Sequence, residues 1–206
     1  MRFRDRADAA KELAGALHAY RGKHPLVLAI PRGAVPMGRV LAAELGGELD
    51  LVLVRKLRAP DSPELAVGAI DESGWTYVAD YARSVGADAA YLREEERRQL
   101  ETLRLRRAQY TPQRAPLDAA GRIALVVDDG LATGATMIAA LHAVRAKRPA
   151  RLVCAVPVAA PESLEKVRPY ADEMVCLEAP PQFRAVSQFY DTFAQVEDEE
   201  VTRLLQ

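Results

Sequence analysis

Short apolar runs and segments of helical spacing alternate along this chain, and that alternation constrains its fold more than any other feature. The runs at 26–30 (LVLAI), 49–57 (LDLVLVRKL), 123–127 (IALVV), 151–158 (RLVCAVPV) and 173–178 (EMVCLE) are short and nearly continuous. Such runs read as strands buried on both faces. Between them lie helical patterns. Residues 6–20 carry Ala9, Leu13, Leu17 and Tyr20 at three- and four-residue steps, and residues 35–45 carry Val40, Leu41 and Leu45 before a stop at Gly46. Two further helices are expected at 134–146 and 161–167. Strands and helices in alternation specify an α/β fold: about five mostly parallel strands with helices on both faces.

Two regions break the pattern. Residues 66–79 form two β-rich halves around Glu72-Ser73-Gly74, a hairpin signal. Residues 88–110 read as one long charged helix with Tyr91, Leu92, Leu100, Leu103 and Ala108 as apolar contacts and its charges on a solvated face. Arg104, Arg106 and Arg107 on it are candidates for touching a phosphate or an acidic partner. A polar, proline-containing connector at 111–121 returns the chain to the core. With 206 residues, the length suits one core with an appended piece better than two domains. The expected organisation is one domain over 1–206, with a hairpin and helix insertion at 58–121 and a terminal segment at 179–206.

Charge and composition exclude several function classes. Lys plus Arg at 28 against Asp plus Glu at 29 leaves a net charge of -1, which argues against general capture of nucleic acid or anionic membrane. Cys154 and Cys176 lie in apolar runs without ligand spacing and read as reduced core thiols. There is no uninterrupted apolar run of 18 residues, so a soluble, cytoplasmic protein is expected. His18, His24 and His142 match no catalytic arrangement.

The chemistry concentrates in "VVDDGLATGAT". Asp128 and Asp129 fall at the carboxyl end of a strand, where ligands of open α/β sheets bind. The residues that follow, Gly130, Leu131, Ala132, Thr133, Gly134, Ala135 and Thr136, turn the chain into a helix and expose backbone N–H groups at its positive end, an anion site. Thr133 and Thr136 add hydroxyl donors, and Gly134 admits a phosphate to the backbone. The glycine spacing and the lack of lysine exclude a Walker loop. Two acids would repel a phosphate but accept charge-assisted hydrogen bonds from vicinal hydroxyls, so a ribose 5-phosphate fits the pair and the loop together.

These residues resemble the phosphoribosyl diphosphate signature of the type I phosphoribosyltransferases. Together with the strand order and the C-terminal "APPQFRAVSQFYDTF", they place the resemblance over most of the chain, nearest to an uncharacterised branch of predicted members. The resemblance implies transfer of ribose 5-phosphate from phosphoribosyl diphosphate to a nitrogen acceptor, usually a nucleobase, as in purine or pyrimidine salvage, with Mg2+ carried on the donor and leaving with diphosphate. Asp128, Asp129 and Lys56 are the implied catalytic residues. "IPRGAV" resembles the family's diphosphate loop, which implies Arg32 and Gly33 as diphosphate contacts and a cis Pro31–Arg32 peptide. Arg55 and Lys56, read as the end of the next strand, are further diphosphate candidates, with Lys56 favoured. Residues 58–79 stand where the family carries a mobile loop, with Glu64 as a candidate there or a plain surface acid.

Departures bear on the acceptor. Ala132 and Ala135 stand where the 6-oxopurine branch places an aspartate and a lysine, which speaks against hypoxanthine or guanine. The family's acceptor hood matches the segment holding Phe183, Phe189 and Tyr190, with Pro157 beside it, as rings that could stack on a flat acceptor. No resident metal site is expected, and a homodimer is open. The alternative is a non-catalytic sensor of the donor or a nucleotide, and a third reading is a receiver-like or phosphatase-like domain with metal on the acid pair.

Overall fold

The computed structural model describes residues 2–206. Its main sheet has five parallel strands in the order β2-β1-β6-β7-β8: β1 (Leu26–Ala29), β2 (Glu48–Leu51), β6 (Ile123–Val127), β7 (Arg151–Val158) and β8 (Glu173–Glu178). Alternation along these strands sorts their side chains into two cores. Val27, Ala29, Leu49, Leu51, Leu125, Val127, Val153 and Ala155 face α1 (Arg6–Ala16) and α2 (Val35–Leu45). Leu28, Ala124, Val126, Leu152, Cys154 and Val156 face Met137, Ala140, Leu141 and Val144 of α4 (Ala135–Ala146) and Val167 of α5 (Pro161–Val167). Both faces are covered, as the continuous apolar runs require.

The run at 49–57 is not one strand. The chain leaves β2 after Leu51, passes through buried Val52 and Leu53, and enters β3 (Val54–Ala59), which pairs antiparallel with β4 (Ser62–Asp71). β5 (Thr76–Val78) completes a separate three-stranded sheet in the order β3-β4-β5. Arg55 and Lys56 therefore lie on this second sheet, a correction to their expected place at a main-sheet edge. The hairpin turn forms as expected: Asp71 Oδ1 accepts from the Ser73 and Trp75 amides, both at 2.9 Å. The hairpin is fastened to α4 by an aromatic group in which His142 stacks on Tyr77 at 4.3 Å between ring centroids, flanked by Trp75 and Tyr170.

The long helix α3 (Ala89–Tyr110) starts at Asp88, whose carboxylate accepts from the Tyr91 amide at 2.8 Å. Its charges are not all solvated. Arg107 is buried, with Nη1 2.8 Å from Asp50 Oδ1 and Nη2 2.5 Å from Glu72 Oε1, and so joins α3 to β2 and to the hairpin. It is structural and not free for an external phosphate. Arg104 and Arg106 make no ion pair among the described residues. The C-terminal segment returns alongside the N-terminus: the Phe3 amide donates to the Phe189 carbonyl and the Asp191 amide to the Phe3 carbonyl, both at 2.8 Å. The chain then ends in α6 (Asp198–Leu204). No helix among the described residues is long and apolar enough to cross a membrane.

Candidate active site

The carboxyl edge of the main sheet collects the ends of β1 and β6, adjacent parallel strands in register from Leu26 with Ala124 to Ala29 with Val127. Their continuations face each other, the turn at 31–33 from β1 and the acid pair from β6. The Pro31–Arg32 peptide is cis, as the resemblance implied. Gly33 packs on the acids so closely that a Cβ there would lie 2.4 Å from Asp129 Oδ2. Only glycine fits without displacing that carboxylate.

Each acid has one oxygen engaged and one available. Asp128 Oδ1 accepts from the Asp129 amide at 2.9 Å, and Asp129 Oδ2 accepts from Arg6 Nε at 3.0 Å and pairs with Arg6 Nη2 at 2.9 Å. No group among the described residues bonds Asp128 Oδ2 or Asp129 Oδ1. Burial, with Asp129 beside it, holds the Asp128 carboxyl well above its ordinary range. Burial also raises Asp129, while Arg6 pulls it back down. Both shifts disfavour two charged carboxyls side by side, a cost that an incoming cation or hydrogen-bond donor would relieve.

The loop after the pair supplies amides, with one correction. Leu131 is buried and tied to β7, its amide donating to the Val158 carbonyl at 2.9 Å, so it offers nothing to a ligand. The amides of Ala132, Thr133, Gly134, Thr136 and Met137 donate to no protein acceptor among the described residues, whereas the Ala135 amide leans on Thr133 Oγ1 at 3.4 Å. Gly134 adopts φ 78° at the start of α4, a conformation that suits glycine, with Ala132 and Thr133 exposed before it. Four of these free amides lie within the first turn of α4 or just ahead of it, where the helix dipole favours an anion.

Cations flank the loop. Arg55, Lys56 and Arg58 line, with Thr136 and Ala139, a cleft of about 240 Å³ between β3 and α4. Arg55 turns toward α3, its Nε 2.5 Å from Gln99 Oε1, while Lys56 has no ion-pair partner among the described residues. Arg32 is less free: its Nη1 lies 3.6 Å from Asp198 Oδ1 and 3.9 Å from Glu197 Oε2. Glu64 is exposed on β4 and touches none of these groups.

The expected acceptor rings fare differently. Tyr190 is buried between Phe3 and Phe193, with ring centroids at 5.6 and 4.9 Å, and its hydroxyl donates to the Asp129 carbonyl at 2.7 Å. Phe189 is core. Pro157 is buried within β7, past the last pairing with β6 at Ala155, where its missing N–H is tolerated. These three are corrections, since none presents a free face. Phe183 is half-buried and stacked on Phe189.

Arg6, the Tyr190 hydroxyl and the Glu197 and Asp198 carboxylates were not foreseen. Each comes from a terminal segment more than 50 residues from the acid pair in sequence, and only the aromatic run "FYDTF" hinted at the C-terminal contribution. A larger cavity of about 520 Å³, between α4, the hairpin turn and the 116–119 connector, contains none of the acid-pair, anion-loop or diphosphate residues, though Arg104 and Arg107 of α3 line it. It is walled mainly by aliphatic side chains, and its Asp71 and Glu72 are already paired with Lys147 and Arg107. Among the described residues no group of three His, Cys, Asp or Glu side chains converges as a metal ligand set.

A parallel sheet that brings an acid pair, an amide loop at a helix N-terminus and a cis peptide turn to one edge defines an α/β domain of the type I phosphoribosyltransferase class. The chain belongs to the family described as phosphoribosyl transferase domain, whose model matches residues 3–193. Two Mycobacterium tuberculosis proteins, from strains CDC 1551 / Oshkosh and ATCC 25618 / H37Rv and each named "Putative phosphoribosyl transferase", are 43% identical over 204 residues, covering 98% of this chain and 46% of theirs. The chain thus spans about half the length of the curated relatives it matches. The crystal structure of TT1426 from Thermus thermophilus is 46% identical, with a TM-score of 0.91 over 100% of this chain and 98% of that one.

Proposed function

We propose that the chain binds phosphoribosyl diphosphate and transfers its ribose 5-phosphate unit to a nitrogen acceptor of nucleobase type. One observation carries the reading: two unbonded carboxylate oxygens, on Asp128 and Asp129, stand at the end of β6, and the chain runs directly from them into a loop of unbonded amides at the start of α4. A sugar phosphate has the matching pattern of a vicinal diol and a monoester anion. The 5-phosphate would take the amides of Ala132 to Thr136 and the threonine hydroxyls, and the diol would take Asp128 Oδ2 and Asp129 Oδ1.

The diphosphate would then meet Arg32 and the bare backbone of Gly33, with Lys56 and Arg55 from the cleft. Mg2+ would arrive chelated by the donor's own oxygens. When bound, it neutralises charge on the departing diphosphate. The acid pair favours positive charge growing on the ribose ring as the bond to diphosphate lengthens, so the chain acts mainly by positioning and electrostatics.

Calorimetry with phosphoribosyl diphosphate and Mg2+, followed by a diphosphate-release assay across a panel of nucleobases, tests the reading. Donor binding that Asp129→Asn weakens about ten-fold or more, as expected for losing a charge-assisted hydrogen bond, supports it. No donor binding by the unaltered protein would overturn it. Binding without release for any base favours the sensor alternative.

A further inference from the structure

Arg6 takes no part in the reading above, yet its guanidinium is held on three sides. Nη1 donates to the Ala194 carbonyl at 2.7 Å, the ring of Phe193 lies 3.9 Å beneath Cζ, and Nε and Nη2 both meet Asp129 Oδ2. The pair is well covered, with side-chain exposures of 12% for Arg6 and 15% for Asp129. This is no loose surface ion pair, whose worth would be small.

The contact is selective. Both guanidinium donors go to one oxygen, and Gly33 closes on that same oxygen, so Oδ2 is wedged while Oδ1 is left unbonded. The Tyr190 hydroxyl fixes the backbone behind it through the Asp129 carbonyl. Resting on the donor-binding reading, we propose that Arg6 is a positioning residue, which clamps one oxygen of Asp129, keeps that carboxylate charged beside Asp128, and so presents the other oxygen to a ribose hydroxyl.

The charged and titratable groups around Asp129 are few. Asp128 adjoins it in sequence, with Cys154 behind on β7; Arg6 comes from α1, and Tyr190 from the C-terminal segment. Arg32, next to Gly33 in the facing turn, is engaged with Glu197 and Asp198. Arg6 is thus the one cation in direct contact with the acids among the described residues. Without it, two desolvated neighbouring carboxyls would compete for protons and Asp129 would be neutral over a wider pH range.

The test uses Arg6→Met, which keeps the apolar stem on Phe193, and Arg6→Lys, which restores a cation without the fork. In the ligand-free protein, the 13Cγ titration of Asp129 should move to higher pH in Arg6→Met and lie between the two in Arg6→Lys. Affinity for phosphoribosyl diphosphate should fall about ten-fold or more near pH 6, a gap that narrows at pH 9 and is partly closed by Lys, since each pH unit below a carboxyl's midpoint removes about ten-fold of its charged form. An Asp129 titration that does not move, or an equal loss at every pH without rescue, overturns the proposal. Should Arg6→Met fail to fold, the Arg6→Lys titration decides by the same criterion. Absence of donor binding by the unaltered protein at all pH values would sink the donor reading instead, while the ligand-free titration still decides whether Arg6 keeps Asp129 charged.

Discussion

At the scale of single residues, Asp128 is the side chain whose cost to the ligand-free protein is clearest. Its carboxyl sits above its ordinary range because burial and Asp129 disfavour the charge. A raised folded-state value means that the folded chain holds the proton more tightly than the unfolded chain. The stabilisation is complete below the ordinary carboxylate range and is lost as pH rises through the folded value. Asp128→Asn removes that dependence, so calorimetric melting at pH 8 should be higher for the variant than for the parent, by roughly 2–4 °C for each kcal/mol released. The difference should close toward pH 4, and donor affinity should drop. A variant that melts lower at pH 8 would show that the acid carries no desolvation penalty. Gly33→Ala makes the complementary case by steric means: the added methyl would meet Asp129 Oδ2, clamped by Arg6, and should cost about 1–3 kcal/mol in urea unfolding while weakening donor binding.

Among the elements, α6 and α3 meet beside Arg32. The N-terminus of α6 places Glu197 and Asp198 on Arg32, while the Tyr110 hydroxyl of α3 donates to Asp198 Oδ1 at 2.6 Å. On the proposed reading, a diphosphate would compete with those carboxylates for the guanidinium. The ion pairs are long and partly exposed, so Glu197→Gln with Asp198→Asn should tighten donor binding modestly, by up to about five-fold for each of the two pairs at no more than about 1 kcal/mol apiece; calorimetry showing no tightening would place Arg32 outside the donor's reach. Arg107 anchors α3 more firmly. Arg107→Met leaves Asp50, 1% exposed, with the Leu51 and Leu117 amides and Arg114 at 3.3 Å as its one remaining ion-pair partner, and should destabilise by about 3–5 kcal/mol in urea unfolding. An effect below about 1 kcal/mol would mean that the network is not what joins the insertion to the core.

For the molecule as a whole, what the sequence reveals follows local pattern, and what it hides depends on distance along the chain. β6 and β7 are legible because both their faces are buried, and β8, half-buried along its length at the edge of the sheet, because its apolar run lies between Glu173 and Glu178. α4 and its anion loop are legible because glycine and threonine follow the acids at fixed spacing. The same continuity misleads at 49–57, where Leu51, Val52 and Leu53 stay buried while the chain passes between sheets, so nothing apolar marks the break. Tyr190 and Phe189 are open to a pocket or a core reading until the strip beside Phe3 decides for core. Arg6 is illegible in principle: its partner lies 123 positions away, and one arginine among several near the N-terminus carries no pattern. A crystal of the protein with ribose 5-phosphate tests the central claim most directly. The account predicts the phosphate on the amides of Ala132 to Thr136 and the two ring hydroxyls on Asp128 Oδ2 and Asp129 Oδ1, with Arg6 still on Oδ2; a phosphate bound elsewhere, or a sugar lying with its ends exchanged, would contradict it.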